Sequence, residues 1–207
     1  MSRVTIDLVR QAMCRPLPGP AAQRKMAPWP PVPPLFPAHV YRDAGVLVLL
    51  YPQGEALCVA LTRRCDHLAA HAGQISFPGG LREPEDASLA AAALREAHEE
   101  LGLDTSALEL LGPLTPVEIP VSAFRIHPWV AYAPARPTFR PDPAEVAELL
   151  EVPLDLLLDP ATRATEVRVI RGHEAEVPYF LVYGHKVWGA TAAVLGELGQ
   201  MIEQQLG

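Results

Sequence analysis

The chain predicts an α/β fold of the α+β kind, a mixed β-sheet held between helices, and three observations lead there. Two apolar, β-branched runs, "AGVLVLLYP" and "ALCVALTRR", flank a short "QGE" turn, the pattern of a hairpin of buried strands. An Ala- and Leu-rich stretch, "SLAAAALREAHEEL", stops at Gly102, as a helix with a glycine cap does. A second amphipathic stretch, "ATAAVLGELGQMIEQQL", closes the chain, so two long helices are available to cover opposite faces of the strands.

The remaining elements follow in order. Residues 3 to 13 place Val4, Leu8 and Met13 roughly on one side, predicting a short amphipathic helix. From Pro16 to Pro37, "PLPGPAAQRKMAPWPPVPPLFP" is dense in proline, which fixes φ and removes backbone donors. That segment is expected to be extended or turn-rich and draped over the domain, with Trp29 and Phe36 as anchors. Its composition also suits an aromatic groove on a partner. Residues 1–40 therefore read as a helix and an arm, and 41–207 as the main domain.

Within that domain, "GQISFPGG" predicts a short strand ending in a glycine turn, and Asp86 or Ser88 caps the Ala-rich helix. Strands are expected in "LELLGPLTPVEI" and "FRIHPWVAYA", with proline and Ser122 marking the turn between them. "PAEVAELLEVPLDLLLD" reads as helical, with Pro153 interrupting or restarting it. "ATEVRVIRG" and "VPYFLVYGHKVWG" predict another strand pair. There is no internal repeat.

Composition narrows the function. With 207 residues, 49% of them hydrophobic, the chain can bury a sizeable core. A formal charge of -7 and a pI near 5.5 oppose general attraction to nucleic acid or anionic membranes, so neither is an expected partner. Cys14, Cys58 and Cys65 are too few and too scattered for a disulfide framework or a thiolate zinc site. The opening residues lack a signal-peptide pattern, and no run approaches the roughly 20 apolar residues of a membrane-spanning helix. The expected setting is the cytoplasm.

The chemistry gathers in "REAHEELGL", where Glu96, Glu99 and Glu100 fall on one helical face because successive residues turn by about 100°. Like charges at such spacing disfavour a helix by roughly 0.2–0.5 kcal/mol per pair. Arg95 can pair with Glu99 but cannot neutralise three carboxylates. Such a face is either solvated or compensated by a hard divalent cation such as Mg²⁺, which takes oxygen ligands and bridges carboxylates to substrate phosphates. Gly79 and Gly80, just upstream, let the backbone bend toward this helix.

Together "GGLREPEDASLAAAALREAHEELGL" resembles the Nudix box: Gly, five residues, Glu, seven residues, Arg-Glu, an apolar residue, any residue, Glu-Glu, any residue, Gly and an apolar residue. The half from Arg95 to Leu103 matches fully. In the first half, counted from Gly80, Asp86 takes the Glu position and one extra residue separates it from Arg95. That extra residue also occurs in the coenzyme A pyrophosphatase-like branch, and "LTRRCDHLAAHAGQISFPGG" resembles the same branch's upstream motif. The resemblance spans about residues 45 to 195.

The resemblance implies a Nudix-like α/β/α sandwich and a metal-dependent diphosphate hydrolase acting on a small nucleotide diphosphate. Within the branch, the substrate is coenzyme A or an acyl derivative. By position, Glu96, Glu99 and Glu100 are the implied ligands of Mg²⁺ or Mn²⁺, with the Gly80 carbonyl as a further one, and Arg95 orients Glu99. Glu96, Glu118, Glu145 and Glu148 stand open as the proton acceptor, and His98 is expected on another helix face. Arg63 and Arg64 are the candidates to meet substrate phosphates, and only one of the two is expected to do so, because strand neighbours point to opposite faces. His71 and Gln74 are expected either to line the pocket or to tie down the loop before Phe77. A homodimer is a further candidate.

Ala69 and Ala70 stand where the branch usually carries an arginine after Leu68, Cys65 replaces a usual small residue, and Ala123 replaces a common glycine. The alternatives are a Nudix specificity for ADP-ribose, a dinucleotide or a nucleoside triphosphate, and a noncatalytic nucleotide- or protein-binding module.

Overall fold

The computed structural model describes residues 4–33, 36–37, 40–68, 71–120 and 122–207. The chain begins with α1 (Ile6–Met13), capped by the Thr5 side chain, which accepts from the Leu8 amide. Its buried face is Val9 and Ala12, with Val4 buried just ahead of the helix, whereas Leu8 and Met13 pack only partly, at its margin. The proline-rich arm is not simply extended. It folds into α2 (Pro20–Gln23), which starts on a proline as helices readily do, and a 3₁₀ turn at Arg24–Met26.

The expected aromatic anchors fail. Trp29 is 70% exposed and Phe36 42% exposed; among the described residues of the arm, Ala22 and Met26 are the buried apolar side chains. Prolines restrict the backbone on either side of Trp29, and it is this backbone that binds. The Trp29 amide donates to the Glu176 carbonyl at 2.9 Å, and the Glu176 amide returns the bond at 2.8 Å.

A long hairpin follows: β1 (Arg42–Gln53) and β2 (Ala56–Arg64). Residues 44–51 of β1 are buried without interruption. Alternation resolves this, since successive side chains leave opposite faces of a strand. Leu47, Leu49 and Tyr51 join one core and Val46, Val48 and Leu50 the other. Then come β3 (Ile75–Ser76), β4 (Gly79–Leu81) and α3 (Leu89–Leu101). Helix α3 is capped by Ser88 through a bond from the Ala91 amide and ends at Gly102 in the left-handed region. Strands β5 (Glu109–Pro113), β6 (Val117–Ile119) and β7 (Phe124–Tyr132) complete the middle of the chain.

The largest departure from expectation lies at "PAEVAELLEVPLDLLLD". It forms β8 (Val146–Pro153), and only α4 (Asp155–Leu158) is helical. Strand β2 has an open edge, and β8 pairs with it from Cys58 to Arg64. Leu150 and Val152 then bury on one face at period two while Glu151 and Pro153 stay partly exposed, so tertiary pairing overrides local helical preference. Pro153, which cannot donate to a ladder, sits at the strand's end.

After α4 the chain makes β9 (Arg163–Ile170), β10 (His173–Val182), β11 (His185–Trp188) and α5 (Gly189–Leu206). Among the described residues the main sheet has eight strands in the order β3-β2-β1-β7-β5, with β4 on β1, β6 on β7 and β8 on β2. It is mixed, because β1 and β7 run parallel while the other pairs are antiparallel. Strands β9 to β11 form a separate antiparallel sheet, which the sequence patterns did not separate from the first.

Helix α3 packs on one face of the main sheet through Ala93, Ala97 and Leu101, and α5 on the other through Leu195, Leu198 and Ile202. This is the expected α/β/α sandwich. Inside α5 lies Glu197, fully buried. Its carboxylate accepts from the Gly19 amide at 3.1 Å, Gln23 Nε2 at 2.9 Å, and the Thr115 amide and hydroxyl at 3.3 and 2.6 Å. The arm, the β5–β6 link and the last helix meet on that one side chain.

Candidate active site

Two close approaches place the acidic helix. Gly45 on β1 lies under the start of α3, where a Cβ would stand 2.1 Å from the Leu89 carbonyl. Gly80 on β4 lies against the Glu96 carboxylate, where a Cβ would fall 2.3 Å from Oε1. At Gly45 only a bare backbone fits, whereas at Gly80 a side chain would push the Glu96 carboxylate aside. Glu96 is thereby wedged between β4 and its own helix, and its side chain is 18% exposed.

Arg95 is held from several sides. Its Nε and Nη2 donate to Asp86 Oδ1 and Oδ2 at 3.2 and 3.1 Å, and Nη2 also reaches the Leu81 carbonyl at 3.0 Å. Nη1 lies 3.0 Å from Glu96 Oε1 and 3.1 Å from Glu99 Oε2. Asp86 is fixed in turn by the Glu83 amide at 2.8 Å, and Arg95 holds its carboxyl below the usual carboxylate range. The shorter Asp thus reaches the arginine across the extra residue, and the bidentate fork sets the plane of the guanidinium. Glu99 pairs with Arg95 as the sequence predicts, and its side chain is 55% exposed.

Glu100 is the buried member, with a side chain only 4% exposed. Its Oε1 lies 3.7 Å from Arg64 Nη1, while Oε2 is buried without a hydrogen-bond partner. Burial pushes this carboxyl up to about 8; Arg64 and the Gly79 amide pull against that, and Glu145 and Glu96 add to it. Burial also raises Glu96, with Arg95 opposing. An orphaned carboxyl oxygen beside further carboxylates calls for positive charge, which a proton supplies in the metal-free protein, and an all-oxygen set suits a hard divalent cation. Glu96 and Glu100 are the residues that would hold it. No three His, Cys, Asp or Glu side chains among the described residues converge into a finished cage.

Arg63 and Arg64 diverge, as strand alternation requires. Arg64 faces Glu100 and, at 4.0 Å, Glu145. Arg63 binds Asp66 at 2.9 Å and lies 3.8 Å from Glu148, which also meets His185 Nε2 at 3.1 Å. A register shift makes both pairings with β8 workable: Arg63 opposes Glu148 and Arg64 opposes Val146, so Ala147 is the extra residue. Glu118 is elsewhere, bound to Arg125 at 2.9 Å. His98 turns off the carboxylate face, with Nδ1 2.9 Å from the Leu103 carbonyl. His71 Nδ1 and Gln74 Oε1 lie 2.9 Å apart, and the loop closes on β2 through Arg64 N to Gln74 O and Gly73 N to Arg64 O. Ala69 and Ala70, on which the missing basic group turns, lie outside the described residues.

Sequence reasoning missed the Asp86–Arg95 clasp, the role of Gly45 and the contact of His185 with Glu148. The first carried a signal, an acid at the box position; the other two join residues far apart in the chain.

A three-layer sandwich with a glycine-backed carboxylate helix on one face of its sheet defines a Nudix hydrolase, and the NUDIX domain matches residues 41–171. The chain belongs to that family. It is 39% identical over 173 residues to the uncharacterized Nudix hydrolase NudL of Yersinia enterocolitica, covering 83% of this chain and 87% of that one. To the NudL of Pectobacterium atrosepticum it is 38% identical, over 84% and 89%. In fold it is similar to the Nudix hydrolase RenU of M. smegmatis, with a TM-score of 0.55 and 21% identity over 79% of this chain and 86% of that one. The protein is a Nudix pyrophosphohydrolase, of a family that generally uses divalent cations and binds nucleotide-derived substrates. No helix among the described residues is long and apolar enough to cross a membrane.

Proposed function

We propose that the enzyme hydrolyses the diphosphate of coenzyme A or an acyl-coenzyme A, giving 4′-phosphopantetheine, or its acyl form, and adenosine 3′,5′-bisphosphate. The observation that carries the metal-dependent part is the buried, unpartnered Oε2 of Glu100 beside Glu96. Mg²⁺ or Mn²⁺, held by these carboxylates with Glu99 and the Gly80 carbonyl as further donors, would neutralise the diphosphate and lower the barrier to attack by water.

The chain's own residues do the rest. Arg95, clasped by Asp86, orients Glu96 and Glu99. Arg64 projects toward the carboxylates and is the arginine suited to a substrate phosphate, while Arg63 braces the loop through Asp66. Glu145, facing Arg64 and close enough to raise Glu96 and Glu100, is the acid outside the box best placed to take the proton of the attacking water. One P–O bond forms, the bridging P–O bond breaks, and the leaving phosphate departs with the bridging oxygen.

The coenzyme A reading rests on the loop from Cys65 to Phe77. Its "HAGQ" run is closed by the His71–Gln74 pair and folds directly onto Arg64, next to the carboxylates. Ala69 and Ala70 favour a second reading, a Nudix specificity without a 3′-phosphate. Turnover of coenzyme A, its 3′-dephospho form, ADP-ribose, NADH and nucleoside triphosphates with Mg²⁺ or Mn²⁺ decides between them. Preference for coenzyme A over the dephospho form supports the first reading, and equal efficiency removes it. The free cysteines accord with a reducing cytoplasm, the setting we assign.

A further inference from the structure

We propose that Asp142 is a positioning residue for the reaction, the one that sets Glu145 against Arg64 and the carboxylate helix; this rests on the reading of Glu145 as the proton acceptor. Just ahead of β8 the chain runs "RPDPAEV" over residues 140–146. An Asp followed by Pro favours a tight turn, because the Asp side chain bonds the backbone two residues on and the proline presets φ.

The amide, the carbonyl and one carboxylate oxygen of Asp142 all serve this turn. Its Oδ1 accepts from the Ala144 amide at 2.9 Å. Its carbonyl accepts from the Glu145 and Val146 amides at 3.1 and 2.8 Å, and its own amide donates to the Glu100 carbonyl at 2.8 Å. The last carbonyls of a helix find no partner within it. At the end of α3, those of Glu100 and Leu101 are taken by the amides of Asp142 and Arg140, at 2.8 and 2.6 Å. The turn is therefore docked on the very residue that carries the buried carboxylate.

Its other side is tied to the end of β2. The Cys65 amide donates to the Glu145 carbonyl at 2.8 Å, and Cys65 Sγ donates to the Pro143 carbonyl at 3.5 Å. Glu100 and Glu145 thus flank Arg64, at 3.7 and 4.0 Å from its two terminal nitrogens. The Glu145 contact is long and its side chain is 46% exposed, so the backbone of the turn sets where this carboxylate stands. A proton acceptor works only within hydrogen-bond reach of the proton it takes. The turn does not use the charge of Asp142, since Oδ1 accepts from a neutral amide and asparagine offers the same oxygen. Alanine does not.

The test is steady-state kinetics with Mg²⁺ and whichever of coenzyme A, its 3′-dephospho form and ADP-ribose is turned over fastest. Circular dichroism checks that each variant is folded, and Asp142→Gly takes the place of Asp142→Ala if that one is not. Asp142→Ala should lower kcat on the order of 10²-fold with KM changed less than about threefold. Asp142→Asn should stay within about threefold of wild type, because it keeps the acceptor. In a Glu145→Gln background, Asp142→Ala should bring no further loss, since two changes that act through one group do not add. Wild-type kcat in Asp142→Ala beside a crippled Glu145→Gln overturns the positioning and leaves Glu145 as the acceptor. Losses that multiply in the double variant, or that are equal in Asp142→Ala and Asp142→Asn, also overturn it. Full turnover in Glu145→Gln overturns both readings.

Discussion

Asp86 and Arg95, nine residues apart, meet through two parallel contacts of 3.2 and 3.1 Å, and that fork sets where the guanidinium presents itself to Glu96 and Glu99. Replacing Asp86 with Ala frees Arg95 to swing. Turnover is expected to fall on the order of 10²-fold, as for other small misplacements of catalytic groups, in a folded protein. Steady-state kinetics alongside far-UV circular dichroism checks this; full activity would make the clasp incidental.

Glu100 supplies the buried carboxylate, so Glu100→Gln keeps its shape and removes its charge. Turnover should drop about 10²–10³-fold, the scale of losing one preorganised electrostatic group. Cation affinity should weaken as well, read by titrating Mn²⁺ against thermal shift. Unchanged kinetics would take Glu100 out of the site.

The same residue shapes the pH response of the metal-free protein. Its folded value, about 8, lies above the ordinary 4.5, so the folded state holds the proton more tightly than the unfolded chain. That contribution to stability is complete below about 4.5 and is lost as pH rises toward 8. In chelator, melting temperature should fall from pH 5 to pH 8 more steeply in wild type than in Glu100→Gln. Mn²⁺ should restore it at pH 8, and parallel curves for the two proteins would reject this.

Ala123 sits at a φ of 55°, where an L side chain costs about 1–2 kcal/mol. Ala123→Gly relieves that strain, and the greater freedom of glycine in the unfolded chain offsets about 0.4–1 kcal/mol. A net gain of about 0.5–1 kcal/mol is expected, a rise of roughly 1–4 °C for a domain of this size, measured by calorimetry.

Glu197→Ala removes the acceptor of the Gly19 amide, of the Thr115 amide and hydroxyl, and of one of the Gln23 Nε2 hydrogens, whose other bond to the Thr115 carbonyl remains. Buried donors without partners cost about 1–3 kcal/mol each, so a loss of about 3 kcal/mol or more is expected. Chemical denaturation measures it. Turnover per folded molecule should stay unchanged, since Glu197 lies on the far helix.

The strands, both long helices and the carboxylate cluster were legible because each depends on residues close in sequence: alternation in β1, the Ser88 cap, the Gly102 stop and the i, i+4 pairing of Arg95 with Glu99. Strand β8 was not, because "AEVAELLEV" satisfies helical spacing as well as strand spacing, and the open edge of β2 decides between them. Trp29 misled because its size suggests burial, whereas its proline-flanked backbone does the binding. Glu145 and Arg64 are far apart in the chain, and no local pattern announces their meeting.

Ala147 has no chemistry of its own, yet the charge layout around Arg63 and Arg64 depends on it. With Ala147 surplus, Arg63 opposes Glu148 and Arg64 already opposes Val146, so the chain entering β8 is drawn one step along β2 and the Glu145 carbonyl accepts from the Cys65 amide at 2.8 Å. Its identity is therefore nearly free, whereas its presence is not. Ala147→Ser should pass unnoticed. Deleting the residue would leave Arg63 opposite Glu148 and Arg64 opposite Val146 in a regular ladder, so every later position of β8 keeps its face while the local kink beside Arg64 and Glu145 is lost. At this position the enzyme is sensitive to count rather than kind, and the effect stays local to the meeting of Arg64 with Glu145.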